Sequence, residues 1–237
     1  MVVISEKLQK ALQELFEQVG AGKEVIENTP YRYALALLEM LDGYNKFVDL
    51  KTFEVPHGGV VVYEVCEFYS LCEHHMLPFF GKVHIGYISK KKCFGLSKLA
   101  RLVDKFAKRL QIQERMTQEI ADALWNELQD TSGAISPDVT GEEIRDAGVY
   151  VIVEGHHLCM KMRGVQKQDA VTITEAYRGC FDMGDDAHRR REEFKMILRT
   201  KMRDLSKVKR SAELLREMKN QKIARKMTKS AEQREED

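Results

Sequence analysis

Two short segments far apart in the chain carry residues that make chemical sense only together, and bringing them together constrains the fold more than any other feature. The first is Ser70-Leu71-Cys72-Glu73-His74-His75-Met76-Leu77-Pro78-Phe79. Its Cys72 and His75 have the C-x-x-H spacing that lets one turn present a thiolate and an imidazole to a single ion. Alone the pair is a weak signal, because two ligands do not hold zinc tightly. The second segment is His156-His157-Leu158-Cys159-Met160-Lys161-Met162-Arg163-Gly164, where Cys159 offers a third ligand and no fourth is obvious. Three protein ligands and one open position form the catalytic arrangement, since a water in that position has its pKa lowered to about 7. His74 and His157 stand beside the ligand positions, where imidazoles can move protons. Two blander readings remain open. A structural site would draw a fourth ligand from His74, His157, Cys66 or Cys180, and without a metal the three residues would be ordinary buried ones.

Periodicity around these segments predicts their setting. Leu8, Leu12, Leu15 and Val19 predict an amphipathic helix over 5–19 that Gly20 ends. Thr29 as N-cap and Pro30 at the first helical position predict a second helix running from Tyr31 to Leu41, stopped by Gly43. Residues 59–70 are β-branched and aromatic, with Val61, Tyr63, Val65 and Tyr69 along one face, and predict a strand that delivers the C-x-x-H turn. Phe80 to Ile88 predicts a second strand. The period then turns helical at Leu96, Leu99, Val103, Phe106 and Leu110, and again at Met116, Ile120, Leu124 and Leu128. Val149 to Glu154 and Ala170 to Phe181 predict two more strands. The order strand, strand, helix, helix, strand, strand is an α+β arrangement. Gly, Ser, Pro and acidic residues over 129–147 predict a surface loop. The expected organisation is a helical region over 1–50, a central domain over 51–187 and a charged helical tail over 188–237. That tail has a thin apolar stripe of Phe194, Leu198, Met202, Leu205, Val208, Ala212 and Leu215.

Composition excludes some classes of protein. With 43% hydrophobic and 32% charged residues among 237, the chain can bury a real core. No run approaches the ~18 consecutive apolar residues of a membrane span. The first residues lack the pattern of a signal peptide, and five cysteines without clustered spacing suit a reducing compartment. A cytoplasmic location is therefore expected. The net charge of +1 hides an asymmetry, because residues 188–237 carry 17 Lys and Arg against 9 Asp and Glu while the rest is net acidic. That tail holds a single aromatic, Phe194, so it lacks the interleaved aromatics of a nucleic-acid-binding segment.

Four motifs in order carry a resemblance. Cys72-Glu73-His74-His75-x-Leu77-Pro78-Phe79, Gly95-Leu96-Ser97-Lys98-Leu99-Ala100-Arg101, Gln111-Ile112-Gln113-Glu114-Arg115-Met116-Thr117 and His157-x-Cys159-Met160-x-x-Arg163-Gly164 together resemble GTP cyclohydrolase I. The likeness runs from about residue 29 to residue 181. It implies an enzyme that opens the imidazole ring of GTP, releases formate and recyclises the remainder to 7,8-dihydroneopterin triphosphate. It implies the tunnelling fold, an antiparallel β-β-α-α-β-β unit whose subunits join their sheets into a barrel. It also implies a homodecamer of two stacked pentamers with active sites at subunit boundaries. Cys72, His75 and Cys159 match the family's Zn2+ ligands, and His74 and His157 its acid–base histidines. Ser97 matches a residue implicated in the sugar rearrangement. Glu114 matches the carboxylate that anchors guanine, with Gln113 beside it in the substrate site, and Lys98, Arg101 and Arg163 match residues that grip the triphosphate.

The residue chemistry suits these roles. C8 of guanine is a poor electrophile until N7 is protonated, so an acid must stand beside the nucleophile. A carboxylate accepts from the two parallel donors of guanine, a pair that adenine lacks. Lys98 and Arg101 stand three residues apart at a helix start, on one face, where the helix dipole also favours anions. No Gly-x-x-x-x-Gly-Lys-Ser/Thr loop occurs, so the nucleotide site is not of the P-loop kind. Read singly, each basic residue is a solvated charge, Ser97 a helix cap, Glu114 an exposed charge and His74 a structural residue.

The chain departs from the family at Gly155, where alanine is usual, at Asp169 and Glu175, where serine is common, and in the length of 129–147. The two carboxylates put substrate affinity in question. Two rival readings stand beside this one. A 7-cyano-7-deazaguanine reductase of the same fold would use a cysteine and NADPH without zinc, which the complete ligand set argues against. A zinc-stabilised scaffold binding RNA through the tail is opposed by the tail's composition.

Overall fold

The computed structural model describes residues 4–55, 59–89, 92–129 and 147–200. The chain divides into two compact units, residues 1–190 and 191–237. In the second unit the described residues, 191–200, are helical, with Phe194 and Leu198 buried. The remainder of the tail stripe, from Met202 on, and most of the 129–147 loop lie outside the described residues. Among the described residues no helix is long and apolar enough to cross a membrane.

The first unit opens with helix α1, Glu6–Gln18, which packs against α2, Lys23–Met40. No residue of α1 is buried, and Leu8, Leu15 and Val19 are exposed. Helix α2 corrects the expected start at Thr29. Its N-cap is Gly22, whose carbonyl accepts from the amides of Val25 and Ile26 at 3.0 and 3.2 Å, and Pro30 lies inside the helix. An interior proline forgoes a main-chain hydrogen bond and costs about 3 kcal/mol. Here it is buried, so packing offsets a cost that local rules alone would have avoided. A short 3-10 turn, Asp42–Tyr44, follows.

The remaining strands are β1 (Thr52–Glu54), β2 (Gly59–Cys72), β3 (Pro78–Ser89), β4 (Lys92–Phe94), β5 (Leu110–Gln111), β6 (Gly148–His157) and β7 (Thr172–Gly179). Helices α3 (Leu96–Ala107) and α4 (Gln113–Gln129) fall between β4 and β6, and a single turn, α5 (Leu158–Lys161), follows β6. The main sheet has the order β5-β2-β3-β6-β7, antiparallel except where the short β5 runs parallel to β2. The four long strands and two helices give the expected α+β order. A separate antiparallel pair, β1 with β4, was not foreseen. Each of these strands has three residues, too few for an alternating pattern to register.

Of the expected face of β2, the side chains of Val61, Tyr63 and Val65 lie outside the described residues. The pairing with β3 shifts register between Tyr63 and Cys66, as a bulge does when it inserts one residue into a strand. Beyond it Cys66, Phe68 and Ser70 are buried, while Tyr69 is 68% exposed. The core lies between one sheet face and the two helices. Phe68, Phe79, Val83, Ile85, Val149, Val151 and Val153 meet Leu99, Leu102 and Val103 of α3 and Met116, Ile120 and Leu124 of α4. Each such side chain contributes about 1.5–3 kcal/mol by leaving water, enough to fix the strand ends that carry the site.

Candidate metal and substrate site

Strand pairing brings the two distant segments together. Strand β2 ends at Cys72, the chain turns over 73–75, and β3 begins at Pro78. The turn is tight: the Cys72 amide donates to the Leu77 carbonyl at 2.9 Å, and the Met76 amide to the Cys72 carbonyl at 2.8 Å. Met76 pays for this with a φ of 53°, in the left-handed region that non-glycine residues seldom occupy. The start of β3 then pairs with the end of β6, Phe79 opposite His157. The rings of these two stack with centroids 4.5 Å apart and 4° between their planes. Two residues past His157, within α5, stands Cys159.

Cys72, His75 and Cys159 consequently present ligand atoms that all lie within 4.8 Å of one another, and Cys72 Sγ is 3.5 Å from His75 Nδ1. A tetrahedral zinc with bonds of ~2.0–2.3 Å needs ligand atoms roughly 3.4–3.8 Å apart, so the donor set fits that ion with a small contraction. The sulfurs point the same way. Burial pushes the Cys159 thiol up, and the neighbouring Cys72 adds to this while Arg163 opposes it. Two thiolates side by side are unfavourable until a cation lies between them. Among the described residues, His74, His157, Cys66 and Cys180 do not join the group.

His157 is held from behind. Its Nε2 lies 2.8 Å from Gln113 Oε1. Gln113 is buried, and its Nε2 faces the Val153 carbonyl at 3.1 Å, the Thr172 carbonyl at 2.9 Å and Thr174 Oγ1 at 3.1 Å. Carbonyls only accept, so the amide nitrogen must lie on their side and the amide oxygen must face the imidazole. His157 therefore donates from Nε2, which leaves Nδ1 as the acceptor of its neutral form. The arrangement closes on itself. Thr117 Oγ1 donates to the Gln113 carbonyl at 2.7 Å, so the 2.7 Å bond between the two hydroxyls is donated by Thr174. Burial pulls the His157 pKa down, opposed by the charge of Glu114 and aided by His156. Room for the amide comes from Gly155, since a Cβ there would stand 2.0 Å from Gln113 Oε1. Sequence reasoning set Gly155 aside as a mild departure, although it makes space for a buried side chain.

The other expected site residues are less tied. Glu114 is exposed in the first turn of α4 and acts electrostatically on His157. Arg163 is exposed beyond α5 and acts on Cys159. His74 is exposed, its ring 6.3 Å from that of His75. Ser97, Lys98 and Arg101 share the first turns of α3. Ser97 does not cap that helix, because Gly95 is the N-cap and no side chain bonds the end. Lys98 reaches Asp49 at 3.9 Å, and Ser97 and Arg101 are exposed. Of the two carboxylates that depart from the family, Asp169 is exposed, and the Glu175 carboxylate accepts from the Tyr150 hydroxyl at 2.6 Å. Sequence reasoning missed Thr117 and Thr174, and it also missed Glu73, Gln111 and Arg115, which are linked beneath the C-x-x-H turn.

Comparison with known proteins agrees with this geometry. A sequence model of the family described as GTP cyclohydrolase I matches residues 8–199. The chain is 42% identical over 200 residues to GTP cyclohydrolase 1 of Saccharomyces cerevisiae, covering 82% of this chain and 73% of that one. It is 38% identical over 200 residues to the Campylobacter lari protein of the same name, covering 82% and 96%. For the Methylococcus capsulatus protein, again of that name, identity is 41% over 183 residues, covering 76% and 89%.

Proposed function

We propose a reaction and a division of labour for this chain, which belongs to the GTP cyclohydrolase I family and is an enzyme of that family. The reaction is hydrolysis of GTP to 7,8-dihydroneopterin triphosphate and formate. The cofactor is zinc, held by Cys72, His75 and Cys159. The observation that carries this reading is the convergence of those three donors within 4.8 Å beside His157. When bound, zinc supplies the Lewis acidity that makes water a nucleophile at neutral pH.

The chain's own residues do the rest. His157 has its Nε2 hydrogen committed to Gln113, so it takes up and returns protons at Nδ1. Its depressed pKa keeps it neutral, and able to accept, near neutral pH. His74, exposed on the turn, is the second acid–base group. Glu114 receives the N1–H and exocyclic amine of guanine, while Gln113 supports the same end of the site through His157. Lys98, Arg101 and Arg163 bind the triphosphate by charge-assisted hydrogen bonds, and Ser97 serves the later sugar rearrangement. Lys98 lies 3.9 Å from Asp49, and the site is proposed to be completed by a neighbouring subunit. The assembly proposed is the family's tunnelling-fold barrel and decamer of two pentamers, in the cytoplasm. The sheet edges β5 and β7 and the exposed apolar side of α1 would be covered there.

The test is direct. Purified protein given GTP should release formate and yield a pterin that fluoresces after oxidation, and removal of zinc should stop both. GTP left intact by a zinc-loaded oligomer would end this reading.

A further inference from the structure

Glu73 stands between the two ligands of the C-x-x-H turn, and no step of the reaction uses it. Its carboxylate receives Arg115 Nη2 at 2.5 Å. The same nitrogen also donates to the Leu110 carbonyl at 3.2 Å, and Arg115 Nε donates to Gln111 Oε1 at 3.1 Å. Gln111 is itself immobilised. It is 2% exposed, and its amide nitrogen donates to the Phe106 carbonyl at 3.0 Å and to Glu119 Oε2 at 2.8 Å. Both partners only accept, so the amide oxygen must face Arg115. The main chain makes the same link, because the Glu73 amide donates to the Gln111 carbonyl at 3.0 Å and Cys72 pairs with Gln111 in the sheet.

We propose that Arg115, acting through Glu73, is a positioning residue that holds the Cys72–His75 turn in its metal-ready shape and couples it to the first turn of α4. That helical turn carries Gln113, which holds His157, and Glu114, assigned to the base, so one guanidinium ties the metal corner to both. The inference rests on the zinc-dependent reading above. An ordinary surface ion pair is the competing account, and the side chains are 44% and 31% exposed, where ion pairs add little stability. The two accounts part over what is lost with the pair. Removing a surface pair changes nothing at the metal, whereas groups that orient metal ligands usually alter affinity about 10–100-fold.

The experiment compares the full-length wild type with E73Q, R115M, the double variant and R178M as a control. Arg178 makes a similar exposed pair from β7 to Asp122 of α4 at 2.7 Å, away from the turn. Zinc affinity is read by chelator competition, thermal stability by unfolding, and KM for GTP by formate release. E73Q and R115M should each weaken zinc about 10–100-fold and raise KM. The double variant should be no worse than the poorer single, because each single change already breaks the Glu73–Arg115 contact. R178M should bind zinc as the wild type does. E73Q keeps the side chain's shape, so it carries the test if R115M fails to fold. Unchanged zinc affinity in E73Q, additive losses in the double, or an equal loss in R178M would each overturn the proposal. A wild type that takes up no zinc would sink the function reading and this one with it. One that takes up zinc and makes formate, with variants unchanged, would sink this one alone.

Discussion

The corner at the end of β2 and the opening of α3 both carry residues assigned to the reaction, but they are built in opposite ways. In the corner, functional side chains have partners in the same chain. Cys72 meets His75, His157 rests on Gln113 and Phe79, and Glu73 meets Arg115. On α3, Ser97 and Arg101 are exposed and Lys98 makes a long contact to Asp49. The difference follows from what each must do. Groups proposed to hold a metal and move a proton would lose rate when displaced by an ångström, which suits their being fixed in advance. Groups that neutralise a mobile polyanion need charge and reach, and their ordering can wait for the ligand.

The largest effect should come from the corner's donors. Cys72→Ala, His75→Ala and Cys159→Ala should each lose bound zinc and abolish turnover, because two ligands do not retain the ion. Metal analysis beside formate assay checks this, and full zinc in any variant would remove that residue from the ligand set. Loss of zinc on changing Lys98 instead would erase the contrast between the two regions.

The two regions also differ in how well the sequence announced them. The C-x-x-H turn was readable because both proposed ligands sit in one short segment, and the change from strand to helical period placed α3 and α4, although Leu110, expected in the first of these helices, lies in β5. The motif around Cys159 was readable by resemblance, but the cause of the meeting, Phe79 paired with His157, is a register that no local pattern prints. Pro30 misled for a similar reason: a good first-turn residue was placed mid-helix because burial outweighed its cost. The bulge between Tyr63 and Cys66 shifts the pairing of a strand whose pattern looked continuous. The direction of the Gln113 amide, turned inward by three acceptors that come from β6 and β7, is likewise set by strand pairing and not by local sequence.

The next effect separates chemistry from metal binding inside the corner. His157→Ala should keep zinc and the fold while losing ~10²–10⁴-fold in kcat, the usual loss for a general acid or base. Single-turnover formate release from zinc-replete protein measures it. A near-normal rate would make His157 part of the scaffold with Phe79, and the corner would then be a metal holder alone.

A smaller and different change is expected on α3. Lys98→Ala and Arg101→Ala should raise KM for GTP about tenfold to a hundredfold, as loss of a hydrogen bond to a charged group does. Neither should disturb zinc content or thermal stability, because neither side chain is built into the core. Steady-state kinetics at fixed salt with parallel zinc analysis would check this. A kcat loss with unchanged KM would show that this turn is as preorganised as the corner, and the comparison would fail.

The smallest effect should lie outside both regions. The family match ends at residue 199, and every residue assigned a role precedes it, so ending the chain after Thr200 should leave kcat at saturating GTP unchanged. The removed residues are net basic, and their charge can act on a polyanion only over a Debye length of about 10 Å at 0.1 M salt. Any contribution should therefore appear as a modest rise in KM at low ionic strength that vanishes as salt is added. This pattern differs from that of Lys98, whose direct contact with phosphate would keep part of its effect at high salt. Kinetics of the shortened chain across a salt series, with sedimentation to follow assembly, separates the cases. A fall in kcat in a zinc-loaded oligomer of unchanged size would place part of the catalytic unit beyond residue 200, and the contrast drawn between corner and helix would then omit a third participant.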